Sequence, residues 1–209
     1  MKTLELFAGS RSFSKVAEEL GHEIFTTDIE QFGKIDYITN ILEFDYSKVP
    51  YIPDIIWASP PCTGFSVASI GHHWTGGKGA YIPKTETAKL GIVLVEKTLE
   101  IIRHYQELNP NLIWYMENPR GILRKMKCVE FLPYHHTITY CQYGDDRMKP
   151  TDIWTNDKNW TPRPMCKNGN PCHISAPRGS RTGTQGLKNA HERSMIPPEL
   201  FREILSNLI

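Results

Sequence analysis

The sequence predicts an α/β fold, a mixed but mostly parallel sheet with helices packed on it. Two observations carry the prediction. Apolar runs of strand length alternate with amphipathic stretches through residue 155, the order that crossover connections between parallel strands require. The runs also stop abruptly at proline, glycine or an acidic residue. Polar groups therefore collect at strand ends, where open α/β sheets bind ligands.

In chain order, residues 3–7 read as a first strand, followed by a turn and a helix over 12–20 with Gly21 suited to its C-cap. Residues 23–27 read as a second strand ending at Asp28, and 35–41 as a short third element. The run Pro53-Asp54-Ile55-Ile56-Trp57-Ala58 predicts a buried strand bounded by prolines. Residues 63–84, with Gly71, Gly76, Gly77 and Gly79, predict a mobile loop in place of a packed element. Leu90, Val93, Leu94, Ile101 and Tyr105 recur near helical spacing in an amphipathic helix over 85–108. Leu112 to Met116 reads as a buried strand that Glu117-Asn118-Pro119 terminates. Residues 136–143 and 151–155 read as paired strands, 156–193 as irregular, and 196–208 as a closing helix with Pro197 and Pro198 in its first turn.

A chain of 209 residues with 40% hydrophobic and 22% charged residues suits one globular domain with a real core. The expectation is a cytoplasmic protein: the N-terminus lacks the regions of a signal peptide, and no apolar stretch approaches the roughly 20 residues needed to span a bilayer. Five scattered cysteines suggest reduced thiols. The net charge of +1 hides an asymmetry. Residues 1–60 carry ten acids and five bases, whereas 158–193 carry seven bases and one acid, Glu192. A basic, Gly- and Pro-rich segment on a neutral core suits contact with phosphates; its plain alternative is a solvated loop.

Three local patterns carry chemistry. Ser59-Pro60-Pro61-Cys62 follows the 53–58 strand, and the two prolines fix φ, so Cys62 sits on a stiff turn at a strand's carboxyl end. A thiol there is a candidate nucleophile, although free cysteine is often a small core residue. The first strand leads into Phe7-Ala8-Gly9-Ser10, a small-residue turn before a helix, which lets a ligand approach the backbone and the helix N-terminus. Asp28, about twenty residues on, stands where an acid commonly accepts bonds from ribose hydroxyls. Together the turn and the acid argue for an adenosine-containing cofactor. Glu117 leaves an apolar strand, a setting that raises a carboxyl pKa and suits proton or hydrogen-bond donation; otherwise it braces a loop.

Taken together, these pieces resemble the DNA cytosine-5 methyltransferase family. The resemblance rests on Leu6-Phe7-Ala8-Gly9, Ser59-Pro60-Pro61-Cys62-Thr63-Gly64-Phe65-Ser66, Glu117-Asn118-Pro119-Arg120-Gly121, Tyr143-Gly144 with Arg147-Met148-Lys149, and Ile196-Pro197-Pro198-Glu199-Leu200. It covers most of the chain and implies a Rossmann-like S-adenosylmethionine-dependent methyltransferase fold. It also implies that Cys62 as thiolate adds to carbon 6 of a cytosine flipped out of duplex DNA, aided by Glu117 and Arg147. Phe7, Ala8, Gly9, Asp28, Ile29, Asn40 and Pro60 would contact S-adenosylmethionine. Ser66, Lys78, Asn118, Lys149, Arg178 and Arg181 would contact the base or the DNA, with the 63–84 loop, including His72 and His73, closing over the base. The implied division is a catalytic domain over 1–155, a small basic DNA-contacting region over 156–193, and a C-terminal helix over 194–209 that packs back; a monomer is expected.

The chain departs from the family pattern in places. Asp145 stands where a Gln is usual, Lys149 replaces a second Arg, and Asn40 takes the place of an acid. Cys166, Cys172 and His173 raise a metal question, with His135, His136, Cys141 or His191 as a fourth ligand. Five residues between the cysteines is looser than usual zinc spacing, so the expectation is free thiols and no metal. Two other readings are a catalytically silent DNA-binding relative and an enzyme acting on RNA or a free cytosine nucleotide. The presence of both Cys62 and Glu117 argues against the first.

Overall fold

A computed structural model of the chain describes residues 1–76, 80–175 and 189–208. Nine strands and six α-helices occur among them: β1 (Lys2–Leu6), α1 (Ser12–Glu19), β2 (Glu23–Asp28), β3 (Tyr37–Ile38), β4 (Ile55–Ala58), α2 (Ile70–His73), β5 (Trp74–Thr75), β6 (Ile82–Pro83), α3 (Glu86–Leu108), β7 (Ile113–Pro119), α4 (Lys127–Glu130), β8 (Tyr134–Thr139), β9 (Pro150–Thr155), α5 (Ala190–Ser194) and α6 (Pro198–Ser206). Seven strands form one sheet in the order β3-β2-β1-β4-β7-β9-β8. The pairs among β3, β2, β1, β4 and β7 are parallel, and β9 runs antiparallel between β7 and β8. The fold is Rossmann-like, as the sequence predicts.

Strand order reverses between β1 and β4. The chain leaving β1 turns toward one face while the chain leaving β4 serves the other half of the sheet, so a crevice opens at their carboxyl ends. Leu6 lies opposite Ala58, and Ala58 opposite Met116. The turns after β1 and β4 and the last residues of β7 therefore meet at one rim.

Both faces of the sheet are covered, and the period-2 alternation of the strands sorts their side chains. Ile56 and Ala58 of β4 join Leu4, Met116 and the α3 residues Val95, Ile101 and Ile102 in one core. Ile55 and Trp57 join Phe13 of α1 and Phe201 and Ile204 of α6 in the other. Phe13 stacks on Trp57 with ring centroids 5.8 Å apart, and Phe201 meets Trp57 edge-on at 4.8 Å. Buried aromatic pairs of this kind contribute about 0.5–1.5 kcal/mol beyond area burial. Thr85 caps α3 by accepting from the Ala88 N–H.

Several elements differ from the sequence reading: the strand read over 136–143 ends at Thr139 before a 3₁₀ turn over Tyr140–Tyr143, and α5 begins inside the stretch read as irregular. Strand β7 continues through Glu117-Asn118-Pro119 because β9 pairs with it there, Glu117 opposite Ile153. Pairing overrides the local stop signal. Residues 63–76 and 80–83 are packed, with two 3₁₀ turns, α2 and the β5–β6 hairpin. Phe65 and Trp74 are buried there, stacked at 6.0 Å, and the Trp74 indole donates to the Gly64 carbonyl at 2.6 Å. Glycine richness concealed two aromatic anchors. Among the described residues, no helix is long and apolar enough to cross a membrane.

Candidate active site

The turn after β1 is built under backbone constraint. Phe7, Gly9 and Arg11 have φ of 57°, 46° and 56°, left-handed values that cost a non-glycine residue on the order of 1–3 kcal/mol. Two carboxylates offset that cost. Asp28 at the end of β2 accepts the Gly9 N–H at 2.9 Å and the Glu30 N–H at 3.1 Å. Glu5, buried on β1, accepts the Phe13 and Ser14 N–H groups at 3.4 and 3.0 Å. Glu5 therefore binds the unpaired amides of the first turn of α1, which otherwise lack partners. Burial pushes its pKa up to about 7, against the pull of those hydrogen bonds.

The turn after β4 carries Cys62, half-buried on Pro60-Pro61. Asn118, fully buried at the end of β7, donates its amide to the Pro60 carbonyl at 2.8 Å. Its own carbonyl oxygen Oδ1 is buried without a hydrogen-bond partner among the described residues. Gly121 permits the other support. A Cβ built there would lie 2.2 Å from the Phe65 carbonyl oxygen, so only glycine lets the β7 exit approach the 63–65 turn this closely.

One cleft joins both turns. Its walls include Phe7, Ala8, Gly9 and Ser10 on one side, Pro60, Pro61 and Cys62 on another, and Glu117, Lys149 and Ile196 across from them. Glu117 accepts from the Tyr140 hydroxyl at 3.1 Å, and burial pushes its carboxyl above the usual range while Lys149 pulls it down. Burial and then Glu117 push the Cys62 thiol up, while Lys149 and Arg193 pull it down. The Lys149 ammonium lies 4.8 Å from the centre of the Tyr140 ring and donates to the Arg193 carbonyl at 3.0 Å.

The structure brings Phe7, Ala8, Gly9, Pro60, Cys62, Glu117 and Lys149 together. Asp28 ends β2, Ile29 follows it, and Asn40 lies just beyond β3, farther along the same sheet edge. The Asn40 side chain accepts from the Leu42 N–H at 3.1 Å, and Ile29 is exposed. Arg147 is not brought to Cys62. Its guanidinium is bound to the Asp145 carboxylate and to the carbonyls of Glu192, Arg193 and Met195. It straps that segment to the turn before β9, and the cation that reaches the cleft is Lys149. Asn118 braces Pro60 from beneath, and Ser66 is exposed on the 3₁₀ turns after Cys62. Lys78, Arg178 and Arg181 lie outside the described residues. Sequence reasoning missed Glu5 and Ile196 as wall residues. The one available signal for Glu5 was a charge inside a run whose neighbours Leu4 and Leu6 are core.

The cleft fits a bound nucleoside cofactor: a strained, pre-set turn exposes backbone at its rim, and Pro60 and Phe7 supply apolar walls. A protein of Frog virus 3 (isolate Goorha) described as "Probable DNA (cytosine-5)-methyltransferase" is 29% identical over 222 residues, covering 98% of this chain and 99% of that protein. The solved methyltransferase EhMeth of Entamoeba histolytica matches with a TM-score of 0.52 at 11% identity, covering 79% of this chain and 56% of that one. The Dnmt2 methyltransferase of S. pombe gives a TM-score of 0.49 at 13% identity, covering 79% and 52%. The chain thus spans little more than half the length of these two solved structures, and the EhMeth likeness speaks to fold alone. No family model matches the chain. Residues, fold and a relative matched end to end agree: over nearly its whole length the chain is similar to a protein described as a probable DNA (cytosine-5)-methyltransferase.

Proposed function

We propose that the protein methylates carbon 5 of cytosine in duplex DNA, as a monomer, through a covalent adduct on Cys62. The observation that supports this most is the single cleft holding Cys62, Glu117 and Lys149 beside the turn at 7–10. Phe7, Ala8, Gly9 and Pro60 would hold S-adenosylmethionine, with Asp28, Ile29 and Asn40 along the same edge. When bound, S-adenosylmethionine supplies an electrophilic methyl group for carbon 5.

The chain's own residues prepare the base. Cys62 rests as a thiol, because burial and Glu117 disfavour its thiolate. Lys149 offers the nearby positive charge that stabilises the thiolate on deprotonation. The sulfur then bonds to carbon 6 of the cytosine, the ring double bond opens, and its electron pair moves toward carbon 5 and the ring nitrogen. Glu117, whose protonated form burial favours and which Tyr140 orients, donates to that nitrogen and stabilises the charge as it develops. Loss of the carbon 5 proton to a water molecule after methylation restores the double bond and expels the Cys62 sulfur as thiolate. A stacked base cannot reach Cys62, so the cytosine is flipped out, at a cost of a few kcal/mol.

In this reading residues 1–155 are the catalytic unit and 156–193 the DNA-contacting region, in which Arg178 and Arg181 bind phosphates with Lys78 and Ser66 near the flipped base. Residues 194–209 pack back on the catalytic unit. The test is transfer of labelled methyl groups to duplex DNA, RNA and free cytosine nucleotide in parallel. Label in 5-methylcytosine of DNA, absent with Cys62→Ala, supports the reading. Transfer confined to RNA or nucleotide, or none with cofactor binding intact, overturns it.

A further inference from the structure

The sequence expectation for Cys166, Cys172 and His173 is unliganded thiols in a Pro-rich loop, because five residues separate the cysteines. The fold changes that picture. A turn closed by the Asn170 N–H on the Lys167 carbonyl, with Gly169 at φ 91°, folds the segment back on itself. It sets the Cys166 and Cys172 sulfurs 3.2 Å apart. The His173 Nδ1 lies 3.5 Å from the Cys166 sulfur and 3.8 Å from the Cys172 sulfur. Cys141, on the 3₁₀ turn Tyr140–Tyr143 that follows β8, completes the group from 25 residues upstream, and all four ligand atoms lie within 4.8 Å of one another.

From this convergence we propose a structural zinc site formed by Cys141, Cys166, Cys172 and His173. Three sulfurs and one imidazole nitrogen match the Cys₃His ligand set of structural zinc centres. A tetrahedral site with zinc–sulfur bonds of about 2.3 Å and a zinc–nitrogen bond of about 2.0 Å sets its ligand atoms roughly 3.5–3.8 Å apart. The two sulfur–nitrogen separations fall in that range. The sulfur–sulfur separation is well beyond the ~2.05 Å of a disulfide. Cys141 and Cys166 are buried and His173 is partly buried, so the cluster is closed on the protein side. The His173 Nδ1 faces the sulfurs and is the coordinating atom, while its Nε2 is buried without a hydrogen-bond partner among the described residues.

The site would do mechanical work. Residues 156–175 contain no helix or strand, and a segment that cannot bury enough apolar surface can be held by a metal instead. Here the metal would fasten 166–173 to the turn that begins with Tyr140, the residue that donates to Glu117. Two ordinary hydrogen bonds run along the same seam, Cys166 N–H to Thr139 Oγ1 at 2.8 Å and Ile174 N–H to the Asp146 carbonyl at 2.9 Å. The zinc would therefore hold the proposed DNA-contacting region against the wall of the catalytic cleft.

The test uses the full, untagged chain purified under reducing conditions without chelator. Elemental analysis should find about one zinc per chain. Cys172→Ser and His173→Ala should each lower it at least about tenfold, the loss typical of a removed ligand or its support, while Cys128→Ser, in a thiol outside the cluster, should keep it. Replacement of zinc by cobalt in wild type should give the intense visible absorption of tetrahedral thiolate coordination. This last reading needs no variant and survives any that fail to fold. Folded protein without zinc and without that cobalt spectrum would overturn the proposal, as would full zinc content in the Cys172→Ser, His173→Ala double variant. A Cys166–Cys172 disulfide found by mass spectrometry in the freshly purified protein would overturn it too.

Discussion

The two sides of the cleft are built on opposite principles. On the proposed cofactor side, two carboxylates support the backbone: Asp28 accepts the Gly9 amide and Glu5 the amides at the start of α1. On the base side, polar groups are buried with less compensation. Glu117 and Cys62, like Glu5 on the other side, have pKa values raised by burial, but here the Asn118 Oδ1 also has no partner among the described residues. The contrast separates binding from chemistry. A turn that must present the same surface every time is over-determined, whereas the groups proposed to exchange protons sit where burial favours their neutral forms.

Substitutions should respect that division. Cys62→Ala should reduce methyl transfer below detection while cofactor affinity, read by calorimetry, stays within about threefold, since the sulfur contributes little to ground-state binding. Coupled loss of both would place Cys62 among the residues that hold the cleft together. Glu117→Gln, which keeps the shape and removes the proton-donating acid, should lower the single-turnover rate by about 10²–10³-fold, the scale of one lost donor to developing charge. If only KM moved, Glu117 would belong to binding.

The cofactor side should respond in stability and affinity. Glu5 carries a folded-state pKa of about 7 against an ordinary value of 4.5. A raised carboxyl favours folding while protonated, so its contribution is full below about pH 4.5 and is lost as pH rises through about 7. Stability should therefore decline from pH 5.5 to pH 8, and Glu5→Gln should reduce that decline by up to about 2 kcal/mol, one pKa unit being about 1.4 kcal/mol. Burial raises Glu117 in the same direction, so part of the slope should persist. An unchanged pH dependence in Glu5→Gln would mean that this carboxyl is ionised throughout. Asp28→Ala should weaken cofactor binding about tenfold, the loss of one or two charge-assisted hydrogen bonds, with little change in turnover at saturating cofactor.

The smallest effect concerns the two cations of the turn before β9. Lys149→Ala should shift the alkaline limb of the pH–rate profile upward, because Lys149 lowers the Cys62 pKa. Arg147→Ala should leave that limb in place and lower stability, because its donors hold the 192–195 carbonyls.

The same contrast explains what the sequence could reveal. Cys62 and Glu117 were legible because each sits at the end of its own apolar run, and neighbouring parallel strands bring such ends to one rim. The packing of 63–76 was not legible, since Phe65 and Trp74 stand in a stretch whose glycines and histidines mask any period. Arg147 and Lys149 could not be told apart from local pattern. Their roles are decided by Asp145, which captures the nearer guanidinium, and by carbonyls more than forty residues away. Cys141 was one of four candidates to join Cys166, Cys172 and His173, and the choice among them is made by long-range packing, in which the Cys166 N–H donates to Thr139 beside Cys141. Features written in adjacent residues were readable, and those assembled by long-range closure were not.

The most direct test of the covalent reading is trapping. The protein and S-adenosylmethionine are incubated with duplex DNA of mixed sequence containing 5-fluorocytosine, in which fluorine at carbon 5 blocks the final elimination. The account expects a denaturation-resistant protein–DNA adduct with the wild-type chain and none with Cys62→Ala. Methyl transfer to ordinary DNA without any trapped adduct, or an adduct that persists in Cys62→Ala, would contradict it.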